Sequence, residues 1–362
     1  MFGFTLPQFE SRALKYGYSN ARVKAMKGLL LKTGFVDDLV RCSSIEAMIE
    51  LLQRTPYKGD FAAGSVQYSG SELIELAAAK NFARTVEKLI KITPESDKKV
   101  LHALLLKYDL LNLKTIMHAK ELGKTYDEVK PHLFPAGGLT DEEFKRIMKA
   151  DGQHIFREIK RTVLGEAMLS QSTAQFSKAM WEKFNMALRS LDSFMQMETI
   201  VDAYSYLLMD KALAESGSKD IAHIRRIMKR EIDAKNVMII ERLKKHGKKK
   251  ILENLIQGGT INQITINKII ESKDIGQTIS LIKPKFGKLE LSGESLTDLE
   301  IALEKSIARQ KTIAFHRGML SVGVIIGFML LKEEEISNLR KIGKGKEFGI
   351  SEKDVREMLV VV

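Results

Sequence analysis

Apolar residues recur at spacings of three and four along most of the chain, and this period predicts an α-helical protein. Helices are predicted over Ser71–Ile92 and Lys98–Leu122, and residues 154–245 are expected to be almost continuously helical. Only Gly64–Tyr68 and Gly287–Leu291 have a strand-like pattern. We therefore expect an all-α fold with few or no strands.

Polar residues before several apolar runs are candidate helix caps. Ser19 or Asn20 precedes a run with the spacing of one helical face, and Ser43 or Ser44 precedes the next run. Short polar side chains at these positions accept hydrogen bonds from free N–H groups of the first helical turn. Helices are accordingly predicted to begin after each pair.

Gly318–Leu331 is the most apolar segment of the chain. A membrane-spanning helix needs about 20 apolar residues, whereas this run has 14 and is bounded by Arg317 and Lys332. The pattern favours a buried core helix. We expect a soluble or peripheral protein with no signal peptide, since the N-terminus lacks a basic segment followed by an apolar one.

One spaced pattern occurs three times along the chain. It reads acid-x-x-Asn-[Leu/Val]-x-x-Ile-x-x-x-Lys-x-x-Gly. The copies are Asp109, Asn112, Leu113, Ile116, Lys120 and Gly123; Asp233, Asn236, Val237, Ile240, Lys244 and Gly247; and Glu335, Asn338, Leu339, Ile342, Lys346 and Gly349. Three copies indicate that one structural unit is used three times.

The pattern has a physical interpretation as a helix with a glycine stop. The apolar residues after Asn share one helical face, Lys falls near the C-terminal end of the dipole, and Gly suits a left-handed residue after the helix. We predict the acid, Asn and Gly of each copy to be structural anchors. The acid and Asn could instead form a ligand-binding pair, but nothing nearby in sequence offers a third ligand.

A second, shorter helix is predicted after each copy. Leu139–Met148 aligns without a gap with Ile350–Leu359, and Thr140 with Glu143 forms a capping box. Ser351 has a weaker box, and Asn262 is the cap in the middle copy. In this alignment the connection between the two helices is absent from the third copy. The expected division is residues 1–150, 151–274 and 275–362.

Composition supports a folded core in a reducing compartment. The 362 residues are 44% hydrophobic, and the lone cysteine, Cys42, excludes a disulfide framework. The net charge is +12, which favours anionic partners without choosing among nucleic acid, lipid headgroups and acidic protein surfaces. The densest basic run, Arg242–Lys250, contains Lys244, Lys245 and Lys248. It is either a solvated helix end or a partner contact.

No pattern in the chain predicts a catalytic, cofactor or metal site. Gly123-Lys124-Thr125 resembles the end of a phosphate-binding loop, but His118 stands where the first glycine is required. The seven histidines form no i, i+4 pair, and Cys42 has no histidine near it in sequence. We expect no catalytic residues, no cofactor and no metal.

The two ends of the chain resemble one family. Tyr18–Lys27, YSNARVKAMK, resembles the YxNARVRAxK opening of the C subunits of archaeal A-type ATPases, a family whose eukaryotic relative is the d subunit of the vacuolar ATPase. Lys332–Arg340, KEEEISNLR, followed by Gly345–Ile350, GKEFGI, resembles the family's ending. The similarity extends from about residue 15 to residue 360.

The resemblance implies three similar helical lobes around a pseudo-threefold axis, forming a funnel. It also implies a non-catalytic connector on the cytoplasmic face of the cell membrane, peripherally bound. Such a connector would sit on the proteolipid ring, receive the central stalk in its cavity, and couple rotation to proton or sodium transport. Arg340 and Lys344 are candidate partner contacts, with anionic lipid headgroups as a further partner. The competing interpretation is a basic helical-repeat scaffold that binds RNA or DNA.

Overall fold

The computed structural model describes residues 6–151, 153–169, 194–215, 219–291, 293–317 and 319–360, and these contain helices and no strand. The all-α prediction is confirmed for this part of the chain. The strand predictions are wrong. Gly64–Tyr68 forms turns, in which the N–H groups of Gln67 and Tyr68 both donate to the Gly64 carbonyl, and Gly287–Leu291 is irregular.

The helices of the described residues are numbered here in chain order. They are α1 (Leu6–Lys27), α2 (Thr33–Arg41), α3 (Ile45–Leu52), α4 (Lys58–Ala62), α5 (Gly70–Ile92), α6 (Glu95–Glu121), α7 (Tyr126–Val129), α8 (Asp141–Lys149), α9 (Gln153–Lys160), α10 (Val163–Leu169), α11 (Phe194–Glu215), α12 (Lys219–Leu243), α13 (Lys248–Asn254), α14 (Gln263–Glu271), α15 (Ile275–Phe286), α16 (Leu296–Arg317), α17 (Val322–Glu347) and α18 (Glu352–Met358). Single 3-10 turns lie at Lys130–His132 and Lys244–His246.

Most helix predictions are confirmed, with one clear exception at the N-terminus. Ser44 caps α3 by accepting a hydrogen bond from the Ala47 N–H at 3.2 Å. Neither Ser19 nor Asn20 caps a helix, because α1 already begins at Leu6. Both are buried instead, and Asn20 exchanges two hydrogen bonds of 3.1 Å with the backbone of Ser321.

Within Gly318–Leu331, the part from Val322 onward behaves as predicted, whereas Met319 is exposed and Gly318 lies outside the described residues. Helix α17 begins at Val322, and every residue from Val322 to Leu331 is buried. The buried core helix is therefore confirmed. None of the described helices is both long enough and apolar enough to pass through a bilayer. Residues 170–193, which belong to the long helical prediction, lie outside the described part.

Three pairs of long helices are consecutive in the chain: α5 and α6, α11 and α12, and α16 and α17. Helices α11 and α12 pack side by side, as do α16 and α17, whereas α5 and α6 meet mainly where the Phe82 ring contacts the Tyr108 ring. The second helix of each pair packs against the first helix of the next: α6 on α11, α12 on α16, and α17 on α5. The last of these contacts closes the series, since it joins the C-terminal pair to the N-terminal one. This cyclic order fits the predicted three-lobed arrangement around a pseudo-threefold axis.

Candidate functional site: a cavity shared by three equivalent helices

The three motif asparagines make the same pair of hydrogen bonds. Each side-chain amide donates to the carbonyl of one downstream residue, and its oxygen accepts from the N–H of that same residue. The pairs are Asn112 with Phe134 (2.7 and 2.7 Å), Asn236 with Ile256 (2.8 and 2.8 Å), and Asn338 with Val360 (2.8 and 3.0 Å). All three asparagines are buried, so each one satisfies backbone groups that water does not reach.

The motif acids accept backbone N–H groups just before a nine-residue helix. Asp109 accepts from Gly138 and Leu139, at 2.7 and 3.0 Å, and Asp233 accepts from Thr260 and Ile261, at 2.8 and 3.0 Å. In the third copy Glu335 accepts from the N–H of Leu31. Each acid therefore fixes the start of a short helix, namely α8, α14 and α2.

The motif lysines reach the other ends of these three helices. Lys120 donates to the Met148 carbonyl at 2.5 Å, Lys244 to the Ser272 hydroxyl at 2.8 Å, and Lys346 to the Val40 carbonyl at 2.9 Å. These acceptors lie in the last turn or at the C-cap of α8, α14 and α2. Because carbonyls there lack intrahelical partners, a cation is well placed.

The motif glycines follow the ends of the motif helices. Gly123, Gly247 and Gly349 have φ of +64°, +88° and +64°, a region that residues with a Cβ rarely adopt. After α6 and α17 the chain makes the same pair of closing hydrogen bonds. In one of each pair, the N–H group donates to the carbonyl five residues earlier: Lys124 to Ala119 and Ile350 to Gly345. We propose the nine acid, Asn and Gly positions as the structural anchors of three equivalent units.

The predicted alignment of Ile350–Leu359 with Leu139–Met148 is wrong. Ser351 follows Gly349 by two residues and caps α18, as Thr125 follows Gly123 and caps α7. Helix α18 therefore corresponds to α7, and the third counterpart of α8 is α2, near the other end of the chain. The division at residues 150 and 274 stays a prediction, and we propose that residues 31–52 complete the third unit.

Gly137 offers a test of how closely the acid approaches the backbone. A Cβ at Gly137 would lie 2.0 Å from Asp109 Oδ1, and one at Gly259 would lie 2.2 Å from Asp233 Oδ1. We expect Gly137→Ala to lower the free energy of unfolding by about 2–3 kcal/mol, because the carboxylate must leave its two N–H donors. Gly123→Ala, which meets nothing within 4 Å, should cost only about 1 kcal/mol. Urea unfolding of both variants measures the difference, and the reverse order would contradict the interpretation.

The three motif helices line one cavity of about 1180 Å³ with equivalent positions. Counted from the motif Asn, the lining residues are Lys107, Glu231 and Glu333 at −5; Leu111, Lys235 and Ser337 at −1; and Lys114, Met238 and Arg340 at +2. Residues of α11 and α16 also line it, together with Phe82, Phe134, Ile256 and Met358. Because the same face of each unit meets one space, the cavity lies where a pseudo-threefold axis would run.

Exposure changes along the cavity and distinguishes a floor from a mouth. At position −5, Lys107, Glu231 and Glu333 retain 20%, 24% and 29% of their possible exposure, and the adjacent Lys311 retains 9%. Near position +6, Arg242 retains 56% and Lys344 retains 46%. We call the first end the floor and the second end the mouth. The cavity therefore opens toward the C-terminal ends of the three motif helices.

An ionic cluster centred on the buried Lys311 forms the floor. Lys311 of α16 lies 3.0 Å from Glu231 of α12 and 2.7 Å from Glu334 of α17, and Lys107 of α6 lies 2.8 Å from Glu333 of α17. Burial alone would lower the pKa of Lys311, but Glu231, Glu334 and Glu333 raise it well above its ordinary value. Lys311 is therefore charged at neutral pH, and its ion pairs join α16 to α12 and α17.

The basic side chains of the cavity wall are paired with nearly as many acidic ones. Every basic side chain that lines it has an acidic partner within 3.2 Å: Lys107 with Glu333, Lys114 and Lys235 with Asp202, Arg242 with Glu300, Lys311 with Glu231 and Glu334, Lys341 with Glu304, and Arg340 and Lys344 with Glu75. The net charge of +12 is therefore not concentrated as unpaired lysines in the cavity.

Arg340 and Lys344, two of the predicted partner contacts, converge on Glu75 of the neighbouring helix α5. Arg340 Nη2 lies 3.2 Å from Glu75 Oε2, Lys344 Nζ lies 3.1 Å from Oε1, and His132 Nδ1 lies 2.7 Å from Oε2. Burial raises the pKa of Glu75. The hydrogen bond with His132 and the positive charges of Arg340 and Lys344 outweigh that effect and lower the pKa from 4.5 to about 2. The two cations are thus held in place by a buried carboxylate.

Glu75 should make stability depend on acid pH. Its pKa falls from 4.5 in the unfolded chain to about 2 in the fold, so its stabilising effect is complete above pH 4.5 and is lost as the pH falls toward 2. Glu75→Gln is expected to cost about 2–3 kcal/mol at pH 7. The gap between the variant and the parent should narrow from pH 5 to pH 3 in urea unfolding. A gap that does not change with pH would contradict this assignment.

The other predicted partner contacts lie outside the cavity wall. Lys244 is half-buried and lies 2.6 Å from Glu241. Lys245 is exposed, and Lys248 is exposed with Glu271 at 3.9 Å. The structure therefore brings Arg340 and Lys344 to the cavity and leaves Lys245 and Lys248 on the surface beyond the end of α12.

The sequence reasoning missed the floor residues. Lys107, Glu231 and Glu333 occupy the same motif position, five residues before the Asn, and all three are charged. That coincidence is a usable signal, because a charged residue recurring on a mostly apolar helical face points to an ion pair between units. No group of three His, Cys, Asp or Glu side chains within the described ranges is arranged to hold a metal ion.

Comparison with known proteins agrees with the resemblance at the two ends of the chain. The family model described as ATP synthase (C/AC39) subunit matches residues 19–358. The chain belongs to this family. The match includes all three motif copies, and the prediction of a non-catalytic subunit of a rotary ATPase is thereby confirmed at the level of the family. The nucleic-acid scaffold is not favoured.

Individual relatives are similar over nearly their whole length. The C subunit of the A-type ATP synthase of Methanosarcina mazei is 27% identical over 96% of this chain and 93% of its own. The corresponding A-type protein of Haloferax volcanii is 24% identical over 95% and 97%. The C subunit of the V-type ATP synthase of Deinococcus radiodurans is 23% identical over 94% and 90%. The similarity therefore extends to both A-type and V-type ATP synthases.

Proposed function

We propose that this subunit is the central-stalk connector of its rotary ATPase. It would sit peripherally on the cytoplasmic face of the membrane, with one side on the proteolipid ring and the tip of the central shaft in the cavity. The observation that carries this proposal is the cavity itself. Equivalent faces of three units surround it, it has an open mouth, and an ionic cluster centred on the buried Lys311 closes its floor.

A connector that transmits torque should deform little under load. The cyclic packing of α6 on α11, α12 on α16 and α17 on α5 leaves no free end in the series. Close-packed interiors compress little, and the floor cluster adds charge pairs between units. These features support rotation of the subunit as one body, so that turning of the shaft is passed to the ring and to proton or sodium transport.

The pairing of charges in the wall indicates how a shaft would be held. Cations that are already paired gain little from a second acidic partner, so the interior is suited to shape complementarity and exchange of ion pairs rather than to attraction by net charge. The wall also offers apolar side chains between the charges, including Leu111, Met238 and Ile307. We propose that these contact the inserted tip.

Co-purification from membranes tests the proposal. The tagged full-length chain, recovered from detergent-solubilised membranes of its own organism, should bring with it both central-stalk subunits and the proteolipid. Recovery should persist after the membranes are washed with high salt, since the cavity contact is largely buried. Recovery of the chain without either set of subunits would contradict the proposed function.

A further inference from the structure

The three units differ in charge just beyond the ends of the motif helices. Positions +9 to +14 from the motif Asn are Glu121–Tyr126 in the first unit, Lys245–Lys250 in the second and Glu347–Glu352 in the third. We call these three segments the rim. Their formal charges at pH 7 are 0, +4 and −2, because they carry one acid and one lysine, four lysines, and two acids, respectively. Equivalent positions thus carry very different charges.

The rim segments are placed where an entering partner would meet them. The second segment lies between Leu243 and Asn254, both of which line the cavity, and Ile350 of the third segment also lines it. The first segment follows directly from α6, whose residues Leu111 and Lys114 line the same space. The second and third segments therefore adjoin the open end of the cavity, and the first segment occupies the equivalent position at the end of α6.

Exposed apolar side chains lie within two of the three rim segments. Leu122 and Phe348 occupy the same motif position, and they are 62% and 72% exposed. The second segment has His246 at that position, also exposed. These two apolar side chains are therefore available for contact with a partner. The first and third segments are thus apolar at the position where the second is polar and cationic.

The positive charge of the second rim segment is mostly uncompensated. Among the described residues, no carboxylate lies within 4.0 Å of the Lys245, Lys249 or Lys250 ammonium groups, and Lys248 has only Glu271 at 3.9 Å. By contrast, Lys124 of the first segment pairs with Glu128 at 2.8 Å. This segment is the part of the mouth that is free to attract a partner by charge.

We infer that the rim is an electrostatic key that seats an asymmetric protein shaft in one of three pseudo-equivalent orientations. Acidic residues of the shaft would face Lys245–Lys250, and its apolar residues would face Leu122 and Phe348. Rotation by one unit would place those acids against Glu347 and Glu352, where like charges repel. This inference rests on the proposed function, since it requires a shaft that enters the mouth.

An anionic membrane surface is a less suitable partner for the rim. A flat, uniformly negative surface that touched all three segments would be attracted by the second and repelled by Glu347 and Glu352 of the third. A protein partner can carry acid on one side and apolar residues on the other. The alternation of charge around the mouth therefore favours a protein over a lipid headgroup layer.

A charge-reversal experiment with a matched control tests the key. K245E/K249E/K250E reverses three exposed rim lysines, and K88E/K91E/K99E makes the same change in charge at exposed lysines of α5 and α6 away from the mouth. We expect the rim variant to bind the purified central-stalk complex at least about tenfold more weakly at 50 mM salt, with a smaller loss at 300 mM. The control should stay within about twofold of the parent. K245Q/K249Q/K250Q should give an intermediate loss.

The outcomes distinguish a failure of the proposed function from a failure of the electrostatic key. If the parent chain does not bind the stalk complex, the proposed function fails. If the parent binds and the rim and control variants weaken binding equally, the function stands and the key is overturned. Sedimentation with phosphatidylcholine vesicles containing phosphatidylglycerol provides the lipid arm. Loss of vesicle binding in the rim variant, with stalk binding unchanged, would assign the lysines to a lipid surface and would also overturn the key.

Discussion

Replacing Lys311 by methionine is expected to lower the free energy of unfolding by about 3–5 kcal/mol. The substitution keeps the apolar stem but removes the ammonium group that lies 3.0 Å from Glu231 and 2.7 Å from Glu334. Two carboxylates then face each other in a poorly hydrated site without their cation. The loss should appear in urea unfolding at pH 7 and as a lower melting temperature.

Lys341→Met is the matched control, since Lys341 also lines the cavity but pairs with Glu304 nearer the mouth. Its pair is more exposed than the floor cluster, with Glu304 at 48%, and Lys341 also donates to the Met358 carbonyl at 3.1 Å, so the substitution should cost about 1 kcal/mol. The triple variant K311M/E231Q/E334Q should recover a large part of the loss, because it removes the uncompensated charge together with the cation. Equal losses of unfolding free energy in Lys311→Met and Lys341→Met would contradict the view that the floor cluster holds the units together.

Replacing Asn338 by alanine is expected to cost about 2–4 kcal/mol, because it leaves both the N–H and the carbonyl of Val360 buried without their partner. This pair of hydrogen bonds holds the segment after α18 to α17. In the variant, that segment should therefore open more often than the whole chain unfolds. Hydrogen exchange of the Val360 amide should accelerate strongly. Asn112→Ala should have the same effect at Phe134, where the geometry is the same.

Asn267, on the surface helix α14, provides a comparison position for these substitutions. Asn267→Ala removes an asparagine outside the motif and should change stability by much less. Equal losses at Asn267 and Asn338 would contradict the view that the motif asparagines hold equivalent units together. Protection of Val360 that is unchanged in Asn338→Ala would contradict the local part of the prediction.

Much of the fold could be predicted from sequence because it depends on local periodicity. The motif helices, the glycine after each and the Thr140 cap are local features, and each lies where the pattern indicates. The buried helix within Gly318–Leu331 could also be predicted, from its length and its flanking charges. In these cases the residues that decide the structure are close together in the chain.

The closure of the third unit could not be predicted in this way. Its short helix α2 is supplied by the opposite end of the chain, so Glu335 meets Leu31 across more than 300 residues. Because Ser351 and Thr140 both cap helices, a gapless alignment pairs α18 with α8, whereas the true counterpart of α8 is α2. The recurring spacing from Asn to its backbone partner, 22, 20 and 22 residues, identifies the correct correspondence.

The change from Asp to Glu in the third copy has a physical explanation once α2 is matched with α8 and α14. Gly137 and Gly259 lie against Asp109 and Asp233, and a Cβ at either glycine would overlap the carboxylate. The residue at the corresponding place in the third unit is Leu29. A longer acid, Glu335, can reach the Leu31 N–H while its own backbone stays farther from that side chain.

Site-specific crosslinking from the cavity wall tests the central claim most directly. Cys42 is the only cysteine, so a C42S background allows one new cysteine at Ser337, which lines the cavity, or at the exposed Ser96 as a control. A benzophenone coupled to that cysteine is activated by light in the assembled, membrane-bound complex. We expect S337C to form a covalent adduct with a protein of the central stalk and S96C to form none. Adducts from S96C but not from S337C would show that the shaft does not occupy the cavity.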